Sequence, residues 1–175
     1  MLGAANPSTL ETMANMASLC RDEGKYAQAE SLFARVLAER KRLLGTGHPV
    51  TLHTMGSFAA LDLKVGKYAH ADLLLREALS AFEKTSARTW DRYNCESLLG
   101  ASLSAQKRYA EAEPLLLSGY AGLHERESRA SFARRTDLTR AAESIVQLSK
   151  NWGKPGQAAE WENKLQTGAP ERRAP

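Results

Sequence analysis

Four histidines (His48, His53, His70 and His124) and two cysteines (Cys20 and Cys95) are the side chains here best suited to holding a metal or moving a proton. Metal-binding helices set histidines four apart, and metal loops set cysteines in C-x-x-C pairs. Neither spacing occurs. His48 precedes a proline in a linker, and His70 reads as lying on the outer side of a helix. The cysteines sit far apart inside apolar helical patterns and read as small buried side chains rather than a disulfide or redox pair. There is no G-x-S-x-G elbow and no phosphate-cradling glycine loop. The sequence therefore assigns no catalytic residue, no metal and no cofactor. It leaves non-covalent chemistry, in which amides, hydroxyls and charges at helical spacing bond to another chain.

The bulk composition supports that direction. Charged residues make up 25% and apolar residues 43% of the 175 residues, enough for one globular domain with a core. No apolar run approaches the roughly 20 residues that cross a bilayer. The start of the chain lacks the pattern of a signal peptide. A soluble, cytoplasmic protein without membrane contact is expected. The net charge of +4 comes largely from Arg126, Arg129, Arg134, Arg135, Arg140 and the pair Arg172-Arg173. Glu125, Glu127 and Asp137 interrupt the first cluster, and only Phe132 is interleaved as a stacking ring. This predicts a solvated loop and no nucleic-acid surface.

The elements that must position the polar side chains follow from an internal repeat. Leu10-Glu11-Thr12-Met13 returns as Leu52-His53-Thr54-Met55, and Gly24-Lys25-Tyr26-Ala27-Gln28-Ala29 as Gly66-Lys67-Tyr68-Ala69-His70-Ala71, both 42 residues on. Arg108-Tyr109-Ala110-Glu111-Ala112-Glu113 is a third copy at an offset of 41. Gly153-Lys154-Pro155-Gly156-Gln157-Ala158 is a weaker fourth, a further 46 on. Lys107 replaces the hairpin glycine, Pro155 replaces the tyrosine, and Asp62 stands where an apolar residue is usual.

Each copy reads as two helices. Leu10, Met13, Ala17 and Cys20 share one face of the first. Tyr26, Ala29, Phe33, Val36 and Leu37 share one face of the second. Ser8-x-x-Glu11 reads as a capping box, and Gly24 as a left-handed stop. The pattern predicts an all-α fold of eight helices, near 8–23, 26–44, 50–65, 68–84, 88–106, 109–127, 136–152 and 155–166. It predicts a loop around 124–135 and disorder over 167–175. Ala29, Ala71, Ala112 and Ala158 fall where paired helices cross and admit close approach. Tyr26, Tyr68 and Tyr109 would fill the wedge at each hairpin tip. Stacked hairpins bury one another's apolar faces, giving an α-α superhelix of about four repeats (7–48, 49–86, 87–130 and 136–166) in one domain, 1–166.

The linker Leu44-Gly45-Thr46-Gly47-His48-Pro49-Val50-Thr51-Leu52 and the Gly-Lys-Tyr-x-x-Ala-Glu/Asp hairpins resemble tetratricopeptide repeats of the kinesin light chain type. Leu2-Gly3-Ala4-Ala5-Asn6-Pro7-Ser8-Thr9-Leu10 is a second such linker, with Asn6 in place of histidine. It suggests an excerpt of a longer array, or a capping first helix with Met13 and Met16 partly exposed. Thr89-Trp90-Asp91-Arg92-Tyr93-Asn94, Gln106 to Leu117, and Trp152 to Trp161 resemble the C-terminal repeat region of bacterial serine/threonine kinases, without any kinase motif. This implies a fragment of a larger bacterial signalling protein.

The resemblance implies that the first helix of each hairpin lines a concave groove. Helical spacing then selects Glu11, Asn15, Ser18 and Asp22; His53, Ser57, Ala60 and Lys64; Asn94, Ser97, Ala101 and Ala105; and Arg140, Glu143, Gln147 and Asn151. Small and amide side chains let a peptide lie close, and Asn15 and Asn94 can both donate to it and accept from it. The expected partner is a protein or peptide ligand. The alternative is an architectural module that packs on neighbouring domains or self-associates through its terminal repeats.

Overall fold

The computed structural model describes residues 6–127 and 132–167. Among them lie eight helices: α1 (Pro7–Asp22), α2 (Tyr26–Leu44), α3 (Pro49–Lys64), α4 (Tyr68–Thr85), α5 (Trp90–Ala105), α6 (Tyr109–His124), α7 (Phe132–Asn151) and α8 (Pro155–Thr167). Every expected helix is present, but two ends differ by three residues or more. α6 stops at His124, where the Arg126 guanidinium folds back and its Nη1 donates to the Gly122 carbonyl oxygen at 2.8 Å. α7 begins at Phe132, inside the expected loop, since Phe132 to Arg135 holds neither glycine nor proline to stop a helix. The expected disorder beyond residue 167 lies outside the described residues.

The predicted capping box is replaced by a shorter device. Asn6 is extended and its Oδ1 accepts from the Ser8 amide at 2.9 Å, with Pro7 as the first helical residue. His48 does the same for α3, accepting from the Val50 amide ahead of Pro49. Asn6 and His48 are therefore the same cap in two chemistries. Glu11, relieved of capping, instead accepts from Arg40.

All four hairpin turns share one geometry. Gly24, Gly66, Lys107 and Gly153 have positive φ, between 63° and 77°. In each, the following amide donates to the carbonyl five residues back, as Lys25 does to Cys20 at 2.8 Å and Arg108 to Leu103 at 2.9 Å. Lys107 holds this left-handed turn without being glycine, which costs roughly 1 kcal/mol.

Packing is layered. The odd helices contact one another in sequence, α1 to α3 to α5 to α7; α2, α4 and α6 each pack on the odd helices either side, and α8 packs on α7. Ala29, Ala71, Ala112 and Ala158 are buried at the crossings, as their spacing predicts. Cys20 and Cys95 are free and buried, and burial raises the Cys95 thiol pKa well above the ordinary value. Tyr109 stacks on Trp152 of the next hairpin, 5.9 Å between centroids, so this tyrosine fills the wedge between hairpins.

A charged staple ties each hairpin to the next. The acid after the crossing alanine reaches the following turn: Glu30 to Lys67, Asp72 to Ser102, Gln106 and Arg108, and Glu113 to Lys154 and Gln157. The Lys154 ammonium and the Gln157 amide hold the Glu113 carboxyl below its usual range.

Candidate peptide-binding face

The layer of odd helices presents a row of polar side chains set by the repeat. Glu11, His53, Asn94 and Arg140 occupy the same repeat position on α1, α3, α5 and α7. The structure joins them to partners the sequence did not single out. Arg40, only 4% exposed on α2, spans from Glu11 Oε2 (2.6 Å) to Thr54 Oγ1 (2.7 Å). His53 Nδ1 meets Asp91 Oδ1 at 2.9 Å, linking α3 to α5. Arg140 Nη2 donates to Asn94 Oδ1 (2.7 Å) and to Asp137 Oδ1 (2.6 Å), linking α5 to α7. Trp90 Nε1 donates to the other Asp137 oxygen at 3.0 Å. The amide expected to await a ligand at Asn94 thus already accepts from Arg140.

One turn on, Asn15 is exposed and Ser57 half-buried. Ser18, Ala60 and Ala101 follow, half-buried and small, with Gln147 as the longer fourth member. Asp22, Lys64, Ala105 and Asn151 are exposed at the far end. Asp22 pairs with Arg21, and the Gln147 amide donates to Asn151. Glu143 is exposed. Ser97 departs from the expectation. It is 3% exposed, and a Cβ at Gly119 on α6 would lie 2.7 Å from its backbone nitrogen. The third copy is one residue shorter than the second, so the true counterpart of Asn15 and Ser57 is Leu98, which is buried.

The resulting strip has a polar, cross-linked edge and a low centre of serine and alanine. It can hydrogen-bond a chain and let it lie close, but it sets no nucleophile beside a base. The His53 side chain is 60% exposed beside Asp91, a solvated hydrogen bond. Among the described residues no group of three or more His, Cys, Asp or Glu is placed to hold a metal ion.

The remaining histidines are tied to neighbours. His70 is exposed, as expected of the helix's outer side, yet it is engaged: its Nδ1 meets Asp62 Oδ2 at 2.6 Å, and its ring edges Phe58 at 5.1 Å. Asp62 is 1% exposed, and burial raises its carboxyl pKa despite the His70 hydrogen bond. His124 stacks on Tyr120 and approaches Glu127. Arg126 lies over the Tyr93 ring, so at least this member of the arginine cluster is not a free loop cation. Arg129, Arg172 and Arg173 lie outside the described residues.

Residues 8–84 match the tetratricopeptide repeat family. The remaining two tetratricopeptide-like hairpins continue the same turns and crossings beyond the matched residues. Two solved structures of nearly identical TPR-like repeats, assigned to a kinesin light chain of Podosopora anserina, are similar. One has a TM-score of 0.68 at 19% identity, covering 99% of this chain and 82% of its own. The other, a single-substitution form, has a TM-score of 0.71 at 19% identity, covering 95% and 77%. BtubC (BKLC) from P. vanneervenii is similar with a TM-score of 0.72 at 13% identity, over 95% of this chain and 66% of that one. No curated protein matches the chain. Tetratricopeptide arrays as a class serve protein interaction.

Proposed function

We propose that this chain is a non-catalytic scaffold that binds an extended or helical peptide along the strip formed by α1, α3, α5 and α7. The observation that carries the reading is the polar row cross-linked from helix to helix, beside a low strip of Ser18, Ala60 and Ala101. Holding His53 through Asp91, and Asn94 and Arg140 through one another, fixes their rotamers before a ligand arrives. Less side-chain entropy is then lost on binding. The mixed charge of the row, with Glu11 beside Arg40 and Asp137 beside Arg140, suits a ligand of alternating polarity better than a polyanion. No helix among the described residues is long and apolar enough to cross a membrane. The resemblance of residues 85–166 to bacterial kinase repeat regions favours a partner in bacterial signalling, met in the cytoplasm.

The test is a pull-down and affinity measurement comparing the wild type with Asn15→Ala and Arg140→Ala. A partner that binds the strip should bind each variant about tenfold more weakly, the scale of a lost hydrogen bond to a charged or buried group. Equal binding to all three proteins would place the partner elsewhere.

A further inference from the structure

Two positions flank every hairpin turn, one four residues before the left-handed residue and one four residues after it. They hold Cys20 and Gln28, Asp62 and His70, Leu103 and Glu111, and Ser149 and Gln157. The first of each pair is buried whatever its chemistry. The fold therefore asks for a buried side chain there and does not ask for a carboxylate. Asp62 is the one acid among the four, and burial makes it costly. Its Oδ1 finds no hydrogen-bond donor among the described residues. A buried polar atom left in that state calls for a role beyond packing.

The other oxygen shows that role. Asp62 Oδ2 lies 2.6 Å from His70 Nδ1, and the Phe58 ring steadies the imidazole from the side. In the neutral imidazole, a carboxylate on Nδ1 keeps the proton there and leaves the lone pair on Nε2. The His70 side chain is 47% exposed, so reagents in water reach it. An imidazole oriented by a fixed carboxylate is a nucleophile set for attack. The setting favours an anionic electrophile. Lys67 precedes His70 by three residues, and its amide donates to the Asp62 carbonyl oxygen at 2.8 Å. Its ammonium meets Glu30 in a surface pair that an entering dianion can displace. His53 and His124 also face carboxylates, at 2.9 and 3.3 Å, but Asp91 and Glu127 are partly exposed and water competes for them.

We infer that His70 is a phosphoryl-accepting site, modified at Nε2 by a donor of the phosphoramidate class. The Nε2 lone pair attacks phosphorus, a new N–P bond forms, and the donor's own P–N bond breaks. Ammonia leaves with the bonding pair, since the donor nitrogen already carries its protons. Nothing is oxidised or reduced. The ring becomes cationic with Nδ1 still protonated, and Asp62 faces that new charge. The attached group brings about two negative charges beside Lys67 and competes with Glu30 for its ammonium. Modification thereby loosens the link between the first and second hairpins. His70 lies on α4, off the strip of odd helices, so the site stands apart from the peptide-binding reading.

The experiment incubates the full chain with phosphoramidate near neutral pH. Incorporation is followed by intact mass and fragmentation, and the modified nitrogen is assigned by phosphorus–nitrogen correlated NMR. His70 should react about tenfold or more faster than His48, His53 or His124, and only at Nε2. His70→Gln should abolish the fast phase. Asp62→Asn should slow it about tenfold or more and yield the Nδ1 isomer as well, with the helices intact by circular dichroism. Similar rates at all four histidines, an Nδ1 product on the wild type, or an unchanged rate in Asp62→Asn overturns the inference. A packing role alone would move the unfolding midpoint of that variant and leave rate and isomer as they are. The wild-type rates and isomer decide the matter by themselves if the variant unfolds.

Discussion

In the α3–α4 hairpin the turn residue is Gly66 and the helices cross at Ala71; in the α5–α6 hairpin the turn holds Lys107 and the closest approach is made by glycines. Gly100 stands where the earlier hairpins have Ala17 and Ala59, and Gly119 where they have Val36 and Ala78. A Cβ at Gly119 would meet the Ser97 nitrogen at 2.7 Å and the Tyr93 carbonyl at 2.9 Å, both backbone. A Cβ at Gly122 would overlap the Tyr93 ring. The third hairpin also carries Pro114 inside α6, and the buried Glu96, satisfied by Arg92 and Ser118. Tight backbone contact there offsets poor local propensity. In the second hairpin, good turn chemistry leaves the crossing an ordinary alanine contact. One architecture thus tolerates weak turns where its helix faces are flat.

Four substitutions probe this contrast by urea unfolding. Gly119→Leu should be the most damaging, by more than about 3 kcal/mol, because the obstruction is backbone that cannot swing aside. Ala71→Leu should cost less, about 2 kcal/mol, since side chains at that crossing can repack. Equal losses would mean that the two crossings are equally close. Lys107→Gly should instead stabilise the chain by about 1 kcal/mol, by relieving the left-handed lysine. An unchanged midpoint would show that the staple at Arg108 already compensates. Smallest and pH-dependent is Asp62. Its carboxyl is raised in the folded state, so folding favours the protonated form. Stability should fall as pH rises from about 4, the ordinary Asp value, through the raised one. Asp62→Asn should remove that component of the profile, while a matching slope in the variant would assign it to another group.

Much of the fold was legible because the repeat punctuates itself. Gly24, Gly66 and Gly153 mark turns, Pro7 and Pro49 mark helix starts, and apolar residues recur at helical spacing. The strip on the odd helices was only partly legible. Position along a helix says which face a residue takes, but not what the next helix sets against it. Asp91 and Asp137 became functional candidates only when α3, α5 and α7 were side by side, since their partners His53 and Arg140 lie on neighbouring helices or define a link between them. Ser97 was misplaced because it stands one residue before Leu98, the counterpart of Ser57, and one residue rotates a helical register by about 100°. Asp62 looked like a flaw in the apolar pattern until His70, one hairpin turn away, was found beside it.

The forward-acid, backward-base staple has a consequence for how such chains change length. Each interior hairpin brings one acid for its successor and one base for its predecessor, so a duplicated or deleted unit leaves every remaining junction with both halves. Removal of residues 25–66 would join Gly24 to Lys67 and keep Asp72 facing Arg108. The genetic unit and the chemical unit coincide. Recombination between copies can therefore lengthen or shorten the array without a compensating second mutation, except at a junction that would use α8, where Ala159 stands in place of the acid.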